Sequence, residues 1–586
     1  MKQPDPLSRV LYIDLTSKRF WVRQRDDLFS RYLGGSGVAT QLLLEECPPG
    51  CDPLGADNPI ILAVGPLTGL YPLASKTIAM FKSPHTHNLG ESHCGGRSAI
   101  SIRLAGYGAI VIKGASRLPL YIAIHGNEVY FRNAASIWGL ENSFTVGRVL
   151  RDNEPGSGLR SIMRIGAAGE KLVTYSSVVT ESYRHFGRLG LGAVFGSKKI
   201  KGIVISGKHS LPVSDIKAYR QSYDEIYQTA VTSPLMKKYH DLGTAENVLP
   251  LNSLNGFPTM NLTSTQFKEA ANISGEAFAE RYLGRRLACS HCPVGCIHIA
   301  ALREPYADEA YFYKTDMICY DYEPIYSLGS MLGIGDATAF LKLMEQIEIF
   351  CIDAMSTGVV LAWATEAQQH KLISTEHTLG LELKWGDAGT YMKALRLIIN
   401  QPNQFYQALA KGVEYASSIY GGREFALSFG GNEMPGYHTG AAAHVGVVAG
   451  TRHSHLDNAG YSLDQKALSK GQNLTPQEMA ESLVAEERWR QVLSSLVVCF
   501  FARGIYTPEK VISTLKSAGF FLSLHHLDAI GREIYQAKYR FKMQEGFSLD
   551  NLKLPSRIYE TPSSSGKIDP DYVRACLTHI KKIIQE

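Results

Sequence analysis

The chain has 586 residues, enough for about three or four domains with a large buried core, which excludes a marginal mini-protein held together by disulfides. Its 60 Lys and Arg against 55 Asp and Glu leave a formal charge of +5, and the basic residues form no run or tail, so nucleic acid is not an expected partner. No apolar stretch reaches the roughly 20 residues that span a bilayer, and no secretory signal precedes the first strand-like segment. We therefore expect a cytoplasmic protein without a membrane span.

The first third of the chain is predicted to form β-strands. Short apolar or alternating runs bounded by Gly, Pro and Asn are typical of strands, and they occur at residues 9–15, 20–23, 60–64, 109–112 and 120–124. From about residue 215 onward the pattern changes to a helical period.

One helix is predicted after Asp336, which can cap its first turn. The apolar residues that follow recur at a spacing that places them on one face of the helix: Phe340, Leu343, Met344, Ile347 and Cys351. Segments of this kind dominate the last two thirds of the chain. The predicted fold class is therefore α+β, with a sheet-rich N-terminal domain over residues 1–214 and two mainly α-helical domains over residues 215–425 and 426–586.

Three of the ten cysteines are clustered. Cys289, Cys292 and Cys296 lie within eight residues, so one loop can direct three sulfur atoms at a common centre. A 4Fe–4S cluster needs a fourth cysteine from far along the chain. Two alternatives stay open on spacing alone: a zinc site completed by His291 or His298, and a grouping without metal.

Six other cysteines, which stand alone or in loose pairs, are interpreted as small buried hydrophobic residues, because a reducing cytoplasm keeps them as thiols. They are Cys47, Cys51, Cys94, Cys319, Cys351 and Cys576.

Two glycine-rich segments could supply backbone amides to a phosphate group, at residues 34–37 and 190–198, and the second also contains Lys198. Neither lies in a strand–helix–strand unit followed by an acidic residue about 20 positions later, so a nicotinamide-dependent dehydrogenase is not predicted. Taken alone, both segments are interpreted as structural turns.

A series of motifs in one order covers nearly the whole chain. In the first third these are LGGSG at 33–37, GPLTG at 65–69, KSP at 82–84, CGG at 94–96, AGY at 105–107, IGAAGE at 165–170 and GRLGLGAV at 187–194. The second third contributes the three-cysteine loop and YEPIYSLGS at 322–330, and the last third contributes VCF at 498–500. The series resembles the aldehyde ferredoxin oxidoreductase family.

The resemblance implies a fold and a set of cofactors. It implies that the first domain forms a base of two sheets that carries a tungsten or molybdenum bis-pyranopterin, and that the helical domains close over it. A magnesium ion that bridges the pterin phosphates is compatible with it. It also implies a 4Fe–4S cluster, whose ligands are Cys289, Cys292, Cys296 and the distant Cys499. Zinc then becomes a minor alternative, and no protein ligand to tungsten or molybdenum is expected.

The family's pterin contacts correspond to residues in all three domains of this chain. In the first domain they are Lys76, His93, Gly95, Gly96, Arg188, Leu189 and Gly190. In the helical domains the family uses Asp-x-x-Gly motifs, which are altered here, and the corresponding residues are Glu348, Asp353 and Ser494. Lys76 and Arg188 are cationic, as binding to a pyrophosphate requires.

Glu323 and His455 are predicted to act as the acid–base pair, with His453 as an alternative to His455. The resemblance implies that an aldehyde and water give a carboxylic acid, and that two electrons pass through the cluster to a ferredoxin or a multi-cluster iron–sulfur subunit. Glu323 can accept the proton of the attacking water, and a histidine can polarise the carbonyl oxygen. Without the resemblance, Glu323 would be interpreted as the partner of a nearby cation and both histidines as structural residues.

Two other functions stay open on the sequence. The chain could be a pterin enzyme that reduces another substrate at low potential, or an iron–sulfur electron-transfer or scaffold subunit without a pterin. The motif Glu-x-x-His, through which some relatives bridge subunits by a metal, reads Lys342 to Glu345 here. A metal-bridged dimer is therefore not predicted, whereas a homo-oligomer of another kind is compatible with the sequence.

Overall fold

The computed structural model describes residues 6–156, 160–181, 183–213, 215–307 and 311–585. The chain divides into two compact units, each built from several stretches of sequence. The first unit consists of Met1–Lys237, Ala288–Val294 and Ala485–Phe547, and the second of Lys238–Leu287, Gly295–Val484 and Ser548–Glu586. The boundaries near residues 214 and 425 stay predictions.

The first unit contains a six-stranded mixed sheet. Its strands are β1 (Arg9–Asp14), β2 (Arg19–Gln24), β3 (Ile60–Ala63), β4 (Thr77–Lys82), β5 (Leu89–Cys94) and β6 (Ala109–Lys113). They are arranged in the order β2-β1-β6-β3-β4-β5, in which β1 and β6 are parallel and the other neighbours are antiparallel.

A second six-stranded mixed sheet follows in the same unit. Its strands are β7 (Leu120–His125), β8 (Glu128–Asn133), β9 (Ser161–Arg164), β10 (Val178–Thr180), β11 (His185–Phe186) and β12 (Ile200–Ser206). The order is β11-β10-β9-β12-β7-β8, and only the pair β7 and β12 is parallel among these neighbours.

Alternate residues of both sheets contribute to one buried apolar core. Leu11 and Ile13 of β1 belong to it together with Ile122 and Ile124 of β7. Successive side chains of a strand point to opposite faces, so a spacing of two places one face of each sheet in this core. The two sheets confirm the predicted sheet-rich N-terminal region.

The second unit contains two smaller sheets. One consists of β13 (Leu283–Leu287), β14 (Ile297–Pro305) and β15 (Tyr313–Tyr320) in that order, and the other is the short pair β16 (Ser428–Phe429) and β17 (Asn432–Glu433). Strand β14 begins directly after Cys296.

Helices make up most of the rest of the described chain. Up to residue 281 they are α1 (Asp26–Tyr32), α2 (Gly35–Glu46), α3 (Ser98–Ala105), α4 (Ser143–Asn153), α5 (Ala167–Glu170), α6 (Leu191–Ser197), α7 (Ile216–Thr232), α8 (Pro234–Asp241), α9 (Val248–Ser253) and α10 (Gly275–Arg281). From residue 322 they are α11 (Tyr322–Leu328), α12 (Ala337–Phe350), α13 (Ala354–Gln369), α14 (Ala388–Asn400), α15 (Gln404–Leu409), α16 (Val413–Tyr420), α17 (Ala441–Ala449), α18 (Gly460–Lys470), α19 (Pro476–Ser495), α20 (Pro508–Ser517), α21 (Leu524–Gln544), α22 (Arg557–Glu560) and α23 (Pro570–Gln585). Short 3-10 helices lie at Pro6–Ser8, Gly243–Asn247, Ala270–Ile273, Ser330–Leu332, Arg423–Phe425, Phe500–Ala502 and Leu549–Asn551.

Helix α12 forms as its sequence pattern predicts. The side chain of Asp336 accepts a hydrogen bond from the backbone N–H of Ala339 over 2.7 Å, which caps the first turn. The predicted apolar face is buried, and the helix ends at Cys351 in the left-handed conformation. In the described ranges, no helix is long and apolar enough to cross a membrane.

Candidate active site

Three of the four candidate cluster cysteines belong to the first unit, and the backbone of Leu73 connects the segments that carry them. The N–H of Leu73 donates to the carbonyl oxygen of His291 over 3.1 Å, and its carbonyl oxygen accepts from the N–H of Cys499 over 2.9 Å. The loop of Cys289 and Cys292 is thereby fixed next to the segment of Cys499. Cys296, the fourth predicted ligand, is assigned to the second unit.

Gly95 makes the closest approach to this loop. A Cβ atom at Gly95 would lie 2.7 Å from Sγ of Cys289 and 3.4 Å from Nζ of Lys76, so only glycine fits without displacing its neighbours. The next residue, Gly96, has a φ of 94° and accepts a hydrogen bond from the N–H of Ser290 over 2.9 Å. The CGG motif therefore contacts the cysteine loop directly.

Arg184 is a second cation, after Lys76, beside Gly95. Its place in the site was not predicted from the sequence. Its Nε atom lies 3.8 Å from the position that a Cβ of Gly95 would occupy. Its guanidinium adds a second positive charge beside the CGG motif. The signal was present in the sequence, because Arg184 stands just before the GRLG motif that contains Arg188.

His93 lies in a buried polar network. Its Nε2 atom is 2.7 Å from Oε1 of Glu91, and Glu91 also accepts hydrogen bonds from Oγ of Ser36 over 2.9 Å and from Nζ of Lys538 over 2.5 Å. Glu91 and Lys538 are 2 % and 1 % exposed. A buried carboxylate with a cation and a hydroxyl as partners holds the neighbouring imidazole in one orientation. Glu91 and Lys538 were not predicted from the sequence.

The loop of Arg188, Leu189 and Gly190 is fixed through its carbonyl groups. Oγ of Ser92 donates to the carbonyl oxygen of Arg188 over 2.7 Å, and Oγ of Ser83 donates to that of Leu189 over 2.8 Å. Gly190 has a φ of 86°, and a Cβ there would lie 2.0 Å from the carbonyl oxygen of Thr174.

Lys198 and the glycines at 34–37 have structural roles, as interpreted from the sequence. Nζ of Lys198 donates to the carbonyl oxygens of Ala56 and Gly114, each over 2.9 Å, and burial lowers its pKa to about 8. Gly35 packs against the backbone of Ser494, since a Cβ on Gly35 would lie 2.2 Å from the Ser494 carbonyl oxygen. Ser494 itself is 4 % exposed.

The two other candidate pterin contacts, Glu348 and Asp353, lie in the second unit. Glu348 is 1 % exposed on α12. Asp353 caps α13, because its carboxylate accepts hydrogen bonds from the N–H of Met355 over 2.9 Å and from Oγ of Ser356 over 2.6 Å. The candidate pterin contacts are therefore divided between the two units.

Glu323 and His455 lie side by side in the second unit. Nε2 of His455 is 3.3 Å from Oε1 of Glu323, and the two side chains are 11 % and 15 % exposed. Glu323 stands in the first turn of α11, and its Oε2 atom accepts a hydrogen bond from the N–H of Gly436 over 3.0 Å. The carboxylate is thus fixed on one side by a backbone amide and faces an imidazole on the other.

Aromatic side chains surround this pair. The ring of Tyr437 lies 5.2 Å from that of His455 and stacks on Tyr461 at 4.0 Å. Tyr322 contacts Tyr437 at 5.2 Å, and its hydroxyl donates to the carbonyl oxygen of Gly436. Burial raises the pKa of Tyr437 well above its ordinary value, so its hydroxyl stays protonated. None of these tyrosines was predicted from the sequence to have a role in the site.

His453 has a different environment from His455. Its ring is fully buried against Gly430, its Nδ1 atom lies 3.2 Å from the carbonyl oxygen of Val447, and its own carbonyl oxygen accepts from Asn432. The structure therefore brings His455 to Glu323 and holds His453 in the core.

Asp457 shapes the loop that carries both histidines. Its Oδ2 atom accepts hydrogen bonds from the N–H groups of Arg452 over 3.1 Å and Ser454 over 3.0 Å, while Oδ1 pairs with Nε of Arg452 at 2.5 Å. The loop conformation is therefore fixed by one buried carboxylate.

Two family models match nearly the whole chain. The model for the aldehyde ferredoxin oxidoreductase N-terminal domain matches residues 10–207, and the model for domains 2 and 3 of the same family matches residues 221–585. The chain belongs to the aldehyde ferredoxin oxidoreductase family. This confirms the resemblance found in the sequence and makes the chain a member of a family of oxidoreductases.

Individual proteins are similar to this chain over two thirds or more of its length. A tungsten-containing aldehyde ferredoxin oxidoreductase of Thermococcus kodakarensis is 31% identical, over 95% of this chain and 92% of its own. The enzyme of the same description from Pyrococcus furiosus is 29% identical over the same shares. An aliphatic sulfonate oxidoreductase, WOR-like subunit, of Pyrococcus furiosus is 28% identical over 67% of this chain and 64% of its own.

One solved structure has the same fold. The active site complex BamBC of benzoyl coenzyme A reductase, in complex with 1,5-dienoyl-CoA, matches with a TM-score of 0.81 over 99% of this chain and 94% of that chain. The sequence identity is 18%, so this similarity concerns the fold.

The first unit supplies three thiols of the kind that an iron–sulfur cluster takes as ligands. Cys289, Cys292 and Cys499 are half-buried free thiols. Lys76 and Arg184 lie beside Gly95, where they can offset the negative charge of a thiolate-bound cluster. Within the described ranges, no three His, Cys, Asp or Glu side chains converge closely enough to hold a single metal ion.

Proposed function

We propose that this chain is a tungsten- or molybdenum-pterin oxidoreductase that oxidises an aldehyde to a carboxylic acid. The observation that carries this proposal is the distance of 3.3 Å between Nε2 of His455 and Oε1 of Glu323, in a chain whose family is that of aldehyde ferredoxin oxidoreductases. The Thermococcus relative is a tungsten-containing enzyme, which supports the choice of cofactor.

The pterin-bound metal supplies the two-electron oxidation when it is bound. Glu323 accepts a proton from the attacking water; the N–H of Gly436 fixes its Oε2 atom, and its Oε1 atom lies beside His455. His455 donates a hydrogen bond to the carbonyl oxygen of the aldehyde and polarises it. In the balanced reaction, one aldehyde and one water give one carboxylic acid, two protons and two electrons.

The aromatic side chains give this pair a poorly hydrated environment. Tyr437 and Tyr461 stack against each other next to His455, and both keep bulk water away from the imidazole. In this poorly hydrated environment, Glu323 and His455 exchange a proton with the substrate rather than with solvent. Tyr322 orients Gly436, which in turn orients Glu323.

Cys289, Cys292, Cys296 and Cys499 would hold a 4Fe–4S cluster, which would supply one-electron transfer to an external acceptor. Lys76 and Arg184 would stabilise the reduced cluster through their positive charge. The proposed pterin contacts are Lys76, His93, Gly95, Gly96, Arg188, Leu189, Gly190, Glu348, Asp353 and Ser494. The electron acceptor is proposed to be a ferredoxin or a multi-cluster iron–sulfur subunit, because the chain offers cysteines for one cluster.

Metal content tests the proposal. The protein is purified without oxygen, and iron, zinc, tungsten and molybdenum are measured by mass spectrometry. About four irons with about one tungsten or molybdenum per chain are expected. Iron without tungsten or molybdenum would overturn the proposal of a pterin enzyme in favour of an electron-transfer or scaffold subunit. Zinc without iron would overturn the proposal of a 4Fe–4S cluster.

Matched cysteine variants sharpen the measurement of iron. Cys499→Ser removes one proposed ligand and should lose most of the iron. Cys576→Ser changes a buried thiol that packs against Met479 and should retain wild-type iron. Equal iron content in both variants would contradict the assignment of Cys499.

Substrate measurements then separate the enzyme functions. Aldehydes of different size are oxidised with a viologen dye as electron acceptor. Activity with aldehydes supports the proposal, whereas a loaded enzyme that oxidises no aldehyde would instead indicate the reduction of another substrate at low potential.

A further inference from the structure

A second pair of cysteines in the first unit lies outside the candidate active site. Sγ of Cys47 is 3.4 Å from Sγ of Cys51. Cys47 is buried and Cys51 is half-buried, so Cys51 is the more accessible residue of the pair. Both were interpreted from the sequence as isolated small residues, although the five-residue sequence Cys-Pro-Pro-Gly-Cys was a visible signal.

A tight turn accounts for the short distance between the sulfurs. Helix α2 ends directly before Cys47, and Pro48, Pro49 and Gly50 separate this residue from Cys51. The N–H of Cys51 donates to the carbonyl oxygen of Pro48 over 3.2 Å, and Gly50 has a φ of 69°. Proline at the second and glycine at the third position favour a type II β-turn, which reverses the chain.

A buried ion pair fixes the same turn from another side. Nζ of Lys82 donates to the carbonyl oxygen of Cys51 over 2.7 Å and pairs with Glu545, and the two charged side chains are 6 % and 2 % exposed. Oε1 of Glu545 accepts a hydrogen bond from the N–H of Gly50 over 3.2 Å. The turn is therefore already ordered while both cysteines are thiols, and a bond between them would cost little additional conformational entropy.

We propose that Cys47 and Cys51 form a redox-active dithiol that a small-molecule disulfide converts into an intramolecular disulfide. A disulfide bond is about 2.05 Å long, so the two sulfurs, which are 3.4 Å apart, must approach by about 1.3 Å. Rotations about the two Cα–Cβ bonds are the movements that bring the sulfurs together.

The exchange proceeds in two balanced steps. The thiolate of Cys51 attacks one sulfur of the reagent, which forms a mixed disulfide and releases the other half of the reagent as a thiolate. Sγ of Cys47 then attacks Sγ of Cys51 and releases the second half. Two protein thiols are oxidised, one reagent disulfide is reduced to two thiols, and the two protons of the cysteines end on those thiols.

The order of the two steps follows from exposure. Burial raises the pKa of the Cys47 thiol above its usual value, so Cys47 is a poor first nucleophile. Cys51 is half-buried and meets the reagent first. Once the mixed disulfide has formed, Cys47 is the nearest thiol to it.

The test uses the holoprotein under anaerobic conditions, so oxidised glutathione is the only oxidant. After incubation the remaining thiols are alkylated with N-ethylmaleimide, and the peptide that contains Cys47 and Cys51 is identified by mass spectrometry. The wild-type peptide is expected to lose two hydrogens and to carry neither glutathione nor the alkylating group. Cys576→Ser is the matched control and should give the same result.

Single variants test the roles of the two sulfurs. Cys47→Ser should retain glutathione on Cys51, because the second step is blocked. Cys51→Ser should leave Cys47 mostly unreacted, because the accessible thiol is absent. Thermal unfolding shows whether each variant is folded. If a variant does not fold, the result for the wild-type peptide alone decides whether the proposal holds. Alkylation of both wild-type cysteines after the incubation, or glutathione that persists on Cys51, would overturn the proposal.

Discussion

Gly95 faces the sulfur of Cys289 so closely that a Cβ atom would lie 2.7 Å from Sγ. No side chain reaches that distance from a sulfur without displacement of one of the two segments. Nζ of Lys76 lies on the same side, 3.4 Å from the Cβ position. The loop that is proposed to hold the cluster and the motif that is proposed to contact the pterin are thus in contact at one glycine.

Gly95→Ala is expected to lower the iron content of the purified protein, because the added methyl group pushes the Cys289 loop away. Gly504→Ala is the control, since a Cβ at Gly504 meets nothing within 4 Å. Iron is measured by mass spectrometry on both variants beside the wild type. Equal iron in all three proteins would show that the loop adapts and that the contact is not needed for the cluster.

Glu323→Gln is expected to lower kcat for aldehyde oxidation by about 10²- to 10⁴-fold, with KM changed much less, because the amide keeps the shape of the side chain but accepts no proton. Glu382→Gln, at an exposed carboxylate with 68% of its side chain accessible, should retain wild-type kcat. Steady-state kinetics with a dye acceptor measure both. A near-normal kcat in Glu323→Gln would remove this carboxylate from the mechanism.

His455 and His453 are expected to respond differently to substitution. His455→Ala should lower kcat by about 10²-fold or more, since the imidazole beside Glu323 is lost. His453→Ala should mainly lower the free energy of unfolding, by about 2 to 5 kcal/mol, because its fully buried ring leaves a cavity. Parallel measurements of kcat and Tm distinguish the two, and a stable but inactive His453→Ala would reverse the assignment.

Lys82→Met is expected to destabilise the protein by about 3 to 5 kcal/mol, because it leaves the carboxylate of Glu545 buried without its cation. The double variant Lys82→Met/Glu545→Gln should recover a large part of that loss. Lys581→Met breaks an exposed pair with Asp550 and should cost no more than about 1 kcal/mol. Thermal and urea unfolding check all three, and similar losses at Lys82 and Lys581 would contradict the role of burial.

Asp464 is expected to make stability depend on pH. Burial raises the pKa of its carboxyl from 3.8 to about 7, although Thr439, Ala442 and Ala443 donate hydrogen bonds to it. The folded state therefore binds this proton more tightly than the unfolded state. Its contribution is present at low pH and is lost as pH rises through about 7.

The measurement for Asp464 is the difference in Tm between wild type and Asp464→Asn across this pH range. The wild type should lose Tm relative to the variant as pH increases from about 4 to about 7. If the Tm of the wild type and that of Asp464→Asn changed with pH in parallel, the carboxyl of Asp464 would already be ionised in the folded protein at low pH.

Local sequence signals predicted the parts of the fold that depend on neighbouring residues. The cap at Asp336 and the buried face of α12 were predicted because both follow from spacing within a few residues. The five strand-like runs also form strands. Their order in the sheets was not predicted, because the parallel pairing of β1 with β6 depends on contacts between distant segments.

The candidate site shows the same limit. Cys499 and Glu323 could be selected only through the family resemblance, since a lone cysteine or glutamate carries no local signal. The pairing of Glu91 with Lys538 and the stacking of Tyr437 on Tyr461 were not predicted for the same reason. The CPPGC turn is the opposite case, because its geometry is local and its sequence signal was overlooked.

The two hydrogen bonds of Leu73 also set a sequence of events during biosynthesis. Cys289, Cys292 and Cys499 are brought together only when three segments that are far apart along the chain have met, and the segment of Cys499 is the last of the three to be synthesised. Closure of such long loops precedes any favourable contact between their ends. A cluster bound by these residues can therefore form only after the segment of Cys499 has been synthesised and has packed against the other two.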